Sequence, residues 1–406
     1  MKRVMVVGVG GVGHVIVAVL KPDKLIDEVL AVDISEKNLK HLQEKIGGEK
    51  LSLHKVDAKN IDQLSRLMRD IDVVVNSAHY LLNLSLIDAS LRSGCNFISL
   101  TGGEELWVEG GSRFKEMLRK HLEKDSEWRK NQLLGVLGLG EDPGLSNIFA
   151  RYLVEQIDDV DEVAIRDADT ILDDKYVIAP LWSREELLLS SIAPAVYYED
   201  GEFKKAEPLS IYRNHLFLEP IGSKKIYLKE HPEVWTLSEL LPKKAKKITF
   251  WYNYDGISAD IIKALWKMKL LSREKINVKG VEVSPFDVVV EVLPQPIDLV
   301  NVSGYAGIEV EVTGKIDNKI ISKKIFTYIS HTEAYNKYGV NGTSYLVGLP
   351  AAIGVSLIIR GEVKERGLLF PEQLNPKPFI EQLPLHGLPL IFEEKIIEEV
   401  RPYKKS

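Results

Sequence analysis

The opening of the chain constrains the fold most. A β-rich apolar run at 3–7 (RVMVV) passes straight into Gly-Val-Gly-Gly-Val-Gly, and an apolar helical pattern follows. Gly8, Gly10 and Gly13 carry the G-x-G-x-x-G spacing. The first glycine permits a tight turn, the second lets backbone approach a pyrophosphate, and the third allows close helix–strand packing. An acidic residue, Asp33, lies at the end of the next β-rich run, within the distance such a site requires. The pattern predicts a dinucleotide site built from Gly8, Gly10, Gly11, Val12 and Gly13, with Asp33 and Ile34 at the second strand's end. Asp33 accepts from ribose hydroxyls but repels a 2′-phosphate by roughly 1–4 kcal/mol. NAD is therefore the expected cofactor, ahead of NADP.

β-Rich runs recur at 29–33, 51–56, 72–76, 96–100 and 133–139, separated by helical spacing such as Leu39, Leu42 and Ile46. Strand and helix alternating over short loops specify a doubly wound parallel sheet. The fold class is thus α/β, a Rossmann domain over 1–150. Ligands sit above the carboxyl ends of such strands. Asp57 and Ala58 after the third strand, Ser77 and Ala78 after the fourth and Thr101 after the fifth are further cofactor contacts on this reading. Asp57 equally suits a helix N-cap. His79 is a candidate proton donor or a polar rim residue, and Tyr80 beside it a candidate substrate contact.

Beyond about residue 157 the rhythm changes. Hairpins turning on Asp200-Gly201 and Asp317-Asn318 replace the strand–helix alternation. A second α+β domain with a mixed or antiparallel sheet is expected over 151–344. From 343 the run TSYLVGLPAAIGVSLIIRG is apolar nearly all round and must be buried.

A net charge of −6 excludes a nucleic-acid surface, which needs a concentrated basic face. One cysteine, Cys95, excludes a disulfide framework and fits a reducing compartment. No uninterrupted apolar run of membrane-spanning length and no signal-peptide pattern opens the chain, so a cytoplasmic protein without a membrane partner is expected. Homodimerisation is the expectation from how commonly soluble proteins form two-fold pairs. No His/Cys spacing suits a metal.

Asp142, in GLGEDPGLSN at 138–147, follows the last Rossmann strand. It either caps the next helix, with Pro143 in the first turn, or faces the reacting pair. Asp167 and Asp169 alternate in a strand and share a face, giving two carboxylates for a diamine or a solvated strand end. Arg166 or Arg184 is suited to a substrate carboxylate, although Ser183 and Glu186 read as a capping box that places Arg184 on a helix surface. Trp182 packs or contacts substrate. His331 and Glu333, two apart in HTEAY, share a face if that segment is extended. They are then candidate proton handlers, or simply a polar strand end.

From GLGEDPGLSN onward the chain resembles the saccharopine dehydrogenase superfamily, through PLWSREELL, ITFWYNYDG and HTEAYNKYGVNGTSYLVGLPAAIGV to GLLFPEQLNPKPFIEQLPLHGLP. Its later two-thirds most resembles the carboxynorspermidine (carboxyspermidine) dehydrogenase branch, while DPGLSN and the acidic second strand are similar to lysine 6-dehydrogenases. The resemblance implies NAD(P)-dependent oxidoreduction at a C–N bond, with an amine and a carbonyl compound as substrates. It also implies a C-terminal segment, 345–406, that packs back on the Rossmann domain. The alternatives are oxidative deamination of the lysine 6-dehydrogenase type and a catalytically silent NAD-binding protein.

Overall fold

The computed structural model describes residues 1–101, 112–173, 175–255 and 258–399. Six parallel strands form the nucleotide-binding half: β1 (Arg3–Val7), β2 (Glu28–Asp33), β3 (Leu51–Lys55), β4 (Val73–Asn76), β5 (Asn96–Ser99) and β6 (Leu134–Leu137). Their spatial order is β3-β2-β1-β4-β5-β6, and a seventh strand, Gly367–Leu369, adds in parallel outside β6. The order reverses between β1 and β4, which opens a crevice at their carboxyl ends. The strands are Val-, Ile- and Leu-rich because both faces are covered, as parallel sheets require.

The second half is a mixed sheet of ten strands among the described residues. At its centre β7 (Asp159–Asp167) runs parallel to Ala245–Asn253 and antiparallel to Gly304–Ile316. The hairpin turning on Asp200-Gly201 joins Ala195–Glu199 to Glu202–Ala206, and both turn residues have positive φ. The hairpin at Asp317 joins two strands of thirteen and twelve residues.

Helix Gly342–Arg360 explains its all-round apolarity by position. It packs along α1 (Gly11–Leu20) and against the second sheet, and it is long and apolar enough by composition to cross a membrane, yet 72% of its apolar window is buried in the protein. The chain then adds its strand beside β6 and returns to the second sheet, where Ile391–Glu399 pairs with Lys319–Ser330. One continuous apolar core consequently spans both halves.

Candidate active site

A cleft of about 1660 Å³ lies between the halves. That is larger than one drug-sized ligand requires. Gly10, Gly11, Val12 and Ala78 line one end. The glycines divide as the motif demands. A Cβ on Gly13 would stand 2.0 Å from the Gly8 carbonyl, so α1 can approach β1 only without one. Gly8, at φ +87°, is pressed against the Ala78 backbone, whereas a Cβ on Gly10 would meet nothing within 4 Å. The open backbone at Gly10 and the N-terminus of α1 fit a pyrophosphate.

Asp33 is buried below this loop. Its Oδ2 accepts from Val9 N at 2.8 Å and from Asn38 Nδ2 at 3.3 Å, and its Oδ1 accepts from Ser35 N at 2.7 Å. It braces the glycine loop, and Oδ1 keeps a free lone pair for a ribose hydroxyl. Ile34 is exposed at the strand end. Asp57 is exposed and its Oδ1 accepts from Lys59 N at 2.9 Å, while Asn60 supplies the helix cap, so the cap reading of Asp57 is corrected. Ala58 packs half-buried against the outer core. Ser77 donates to the Gly8 carbonyl at 2.5 Å and so supports the loop from behind. Thr101, His79 and Tyr80 line the rim. His79 is exposed, with Nδ1 accepting from Leu81 N at 3.3 Å.

The other end of the cleft is acidic. The corner 138–144 closes on itself through Gly140 N donating to the Pro143 carbonyl and Leu145 N donating to the Gly140 carbonyl. Gly144, at φ +144°, completes it, since a Cβ there would stand 1.9 Å from the Gly140 oxygen. The closed corner presents Glu141 and Asp142 to the cleft. The helix behind it, Leu145–Val154, is not capped by Asp142: Gly144 holds the N-cap position, and Asn147 Oδ1 accepts from its amide at 2.9 Å. Asp142 is a cleft residue, which corrects the capping expectation.

Asp167 ends β7, and Asp169, two positions later, shares its side and also lines the cleft. Arg166, of opposite parity, points through the sheet. It pairs with Glu309 and Glu311 at 2.8 Å each, buried on the far face, and is therefore not a substrate ligand. Arg184 is likewise outside the cleft. It lies buried in the helix begun by Ser183, where it donates to the Leu293 carbonyl at 3.2 Å. Trp182 lines the cleft, as does Tyr252.

His331 and Glu333 are the clearest corrections. The segment is a helix, His331–Tyr338, rather than a strand. The imidazole is fully buried between the Thr170 carbonyl, 2.9 Å from Nε2, and Gly342 N, which donates to Nδ1 at 3.0 Å. Burial pushes it down to about 4, so it is a neutral structural tie. Glu333 is exposed and lines no part of the cleft.

Proton-handling groups come instead from a segment the sequence reading passed over, Lys229 to Glu233, where strand Ser223–Leu228 turns into helix Pro232–Leu240. His231 Nδ1 is 2.5 Å from Glu233 Oε2, and Ser146 Oγ donates to Glu233 Oε1 at 2.6 Å. The imidazole stacks on Phe250, with centroids 3.9 Å apart. Its Nε2 faces Asp142 Oδ2 at 4.0 Å. Asp142, His231 and Glu233 are close enough to hold a cation by distance alone. Both Glu233 oxygens, however, already accept hydrogen bonds. The arrangement is a carboxylate–imidazole–carboxyl array in which Glu233 fixes the tautomer and Nε2 presents to the cleft. The signal in the sequence was charge at a strand end, Lys-Glu-His-Pro-Glu, just before a helix-starting proline.

Burial dominates the electrostatics. It raises Asp142 and Glu141 well above the usual carboxylate range, with Asp167 next for Asp142 and Asp169 next for Glu141. Asp169 is raised by burial and then by Asp167, and burial lifts Asp167 to about 7. Lys229 is pulled down to about 8 by burial, against the opposing pull of Asp167 and Asp142.

Residues 140–388 match the family model described as the saccharopine dehydrogenase C-terminal domain, and residues 4–126 match the saccharopine dehydrogenase NADP binding domain. Carboxynorspermidine synthase of Vibrio alginolyticus is 28% identical over 95% of each chain. Carboxyaminopropylagmatine dehydrogenase of Synechocystis sp. is 25% identical over 96% of this chain and 97% of that one. Apo saccharopine dehydrogenase (L-Glu forming) from Saccharomyces cerevisiae has the same fold, with a TM-score of 0.74 at 16% identity over 97% of this chain and 100% of that one. The nucleotide-binding crevice, the acidic cleft and these matches place the chain in the saccharopine dehydrogenase family of NAD(P)-dependent oxidoreductases.

Proposed function

We propose that the protein reduces the imine formed between a polyamine-type primary amine and a carboxylate-bearing aldehyde, giving a carboxyalkyl polyamine, with NADH as the preferred reductant. One observation carries the substrate class. The cleft holds Glu141, Asp142, Asp167 and Asp169, while no arginine lines it among the described residues. A dicarboxylic or tricarboxylic substrate would need several bidentate cations. Buried carboxylates in this number suit a substrate carrying several ammonium groups and few anions, each charge-assisted hydrogen bond being worth about 1.5–3 kcal/mol. The names of the two relatives, which pair a carboxyl group with a polyamine or an agmatine, agree with that balance.

A nicotinamide cofactor, when bound at the glycine loop, would supply the hydride for the imine carbon. The protein's own residues do the rest. Asp167 and Asp169 take the ammonium groups, and Trp182 and Tyr252 wall the methylene chain. The imine nitrogen must carry a proton to accept hydride, and His231 Nε2, with Nδ1 committed to Glu233, is the atom that manages it beside Asp142. Asp33 disfavours a 2′-phosphate, hence NADH. A reducing, cytoplasmic setting fits Cys95, a buried thiol that burial pushes up to about 12 and so keeps inert.

The test is an NADH-oxidation screen crossing diamines and triamines with aldehydes that do or do not bear a carboxylate. Turnover requiring both an amine and an aldehyde supports the reading. NADH oxidation by a 2-oxo acid without amine, or a need for a tricarboxylic product in reverse, would replace it.

A further inference from the structure

Helix Gly342–Arg360 begins where the two walls of the cleft meet. Asn341, Thr343 and Ser344 line the cleft together with Gly11 of the nucleotide wall and Asp169 of the acidic wall. The turn is pinned at its start. Asn341, 1% exposed, accepts through Oδ1 from Ser344 N at 2.8 Å and donates through Nδ2 to the Leu181 carbonyl at 3.1 Å. A capped first turn holds its side chains in fixed directions, and neighbouring residues point about 100° apart around the axis. Thr343 goes to the acidic wall, where its Oγ1 donates to Asp169 Oδ2 at 2.7 Å. Ser344 goes to the nucleotide wall. A Cβ on Gly11 would stand 2.9 Å from Ser344 Oγ, so the hydroxyl takes the space that a side chain at Gly11 would need. The G-x-G-x-x-G spacing leaves position 11 open to other residues, and the serine accounts for the glycine found there.

Two atoms at this turn are left for ligands. Asp169 is buried, at 6% exposure, and its Oδ1 accepts no hydrogen bond among the described residues. A buried carboxylate oxygen is costly until a donor reaches it. With Oδ2 committed to Thr343, Oδ1 is the oxygen left for that donor. Ser344 makes its hydrogen bond through its backbone amide, which leaves the hydroxyl for a ligand beside the open backbone of Gly10 and the N-terminus of α1. We propose that this one turn sets the two reactants against each other. Thr343 is a positioning residue that holds Asp169 so that Oδ1 receives an ammonium of the amine, and the Ser344 hydroxyl donates directly to the pyrophosphate of the dinucleotide. The Thr343 half rests on the imine-reducing reading above, while the Ser344 half rests on the glycine loop alone. Because the two residues are neighbours on a capped turn, the amine and the nicotinamide nucleotide are referred to one rigid element, which keeps hydride donor and acceptor at a fixed spacing.

The experiment compares Thr343→Val, Thr343→Ser and Ser344→Ala with the wild type. NADH affinity is read by fluorescence titration, amine use by KM at saturating NADH, and folding by thermal melting. Thr343→Val is expected to raise the amine KM about 10-fold and to leave the NADH Kd within about twofold, since it removes one hydrogen bond to a charged group on the acidic wall only. Thr343→Ser keeps the hydroxyl and should recover most of the amine KM. Ser344→Ala should give the opposite split, with the NADH Kd up about 5- to 10-fold and the amine KM unchanged. An amine KM that does not move in Thr343→Val, a loss shared equally by amine and NADH, or no recovery in Thr343→Ser would overturn the Thr343 role. An unchanged NADH Kd in Ser344→Ala would overturn the Ser344 role. The NADH titration needs no turnover, so it judges Ser344 even if the wild type is inactive on every amine–aldehyde pair. That inactivity would remove the imine-reducing reading and the Thr343 role with it.

Discussion

At the residue scale the account turns on two side chains, His231 and Asp167. His231 is held on one side by Glu233, itself held by Ser146, and is stacked on Phe250, so its ring has one orientation. Replacing it by Asn removes the proton-carrying nitrogen from the cleft. The expected outcome is a fall in kcat of about 100-fold or more, with NADH affinity and melting temperature little changed. An unchanged kcat would show that the proton comes from elsewhere. Asp167 predicts a pH effect whose sign follows from its environment. Burial lifts it to about 7, partly countered by the Asp169 amide and by Lys229. Only the ionised form binds an ammonium strongly, so the KM for the amine should fall as pH rises from about 6 to 7.5, below the range in which Lys229 loses its proton. Stability runs the other way. The folded carboxyl is raised above its unfolded value, so its contribution to stability declines as pH rises from about 4 to about 7. Asp167→Asn should flatten both profiles, read by amine KM and by melting temperature against pH. None of these roles was fully legible in the sequence. Asp167 and Asp169 were visible because alternation in a strand puts them on one face, and the same alternation sends Arg166 to Glu309 and Glu311 on the other. His231 was not, because the groups that orient it come from distant stretches of chain: Asp142 from the corner after β6, Phe250 from another strand, and Ser146, which holds Glu233 from 87 residues away.

At the element scale the corner 138–144 does the positioning. It closes a loop on its own backbone and turns Glu141 and Asp142 into the cleft, while Ser146 and Asn147 in the following helix reach back to Glu233 and Glu372. Gly144 is the point on which this depends. A methyl group there meets the Gly140 backbone, in a conformation that L-residues rarely adopt. Gly144→Ala should cost at least about 2 kcal/mol in chemical denaturation and lower turnover per folded molecule as well. Normal stability with normal turnover would mean that the corner is not under this constraint. In segment 331–338 a local cap overrides the extension that the preceding strand predicts. Its residues follow a twelve-residue strand with no loop between, so the pattern alone predicts continued extension. Ser330 and Glu333 nonetheless form an S-x-x-E start signal, and Ser330 Oγ accepts from Glu333 N at 3.2 Å. That local cap turns the chain, buries His331 and exposes Glu333.

At the scale of the whole molecule, the parallel sheet was readable because glycine spacing and strand–helix alternation are local signals. The positions of six strands agree with their β-rich runs to within two residues at each end. The cleft was only half readable. Its nucleotide wall comes from one contiguous stretch, whereas its acidic wall is assembled from the corner after β6, the end of β7 and the turn at 229–233. Long-range packing brings these together, through helix Gly342–Arg360 laid along α1 and the shared apolar core. The two walls serve one reaction if hydride leaves the nucleotide side and arrives at carbon held on the acidic side. The most direct test uses NADH carrying deuterium at the transferable position, a diamine and a carboxylated aldehyde, with mass spectrometry of the product. The account predicts a secondary amine bearing one deuterium on the carbon of the new C–N bond. A deuterated alcohol, or an unlabelled product, would contradict it.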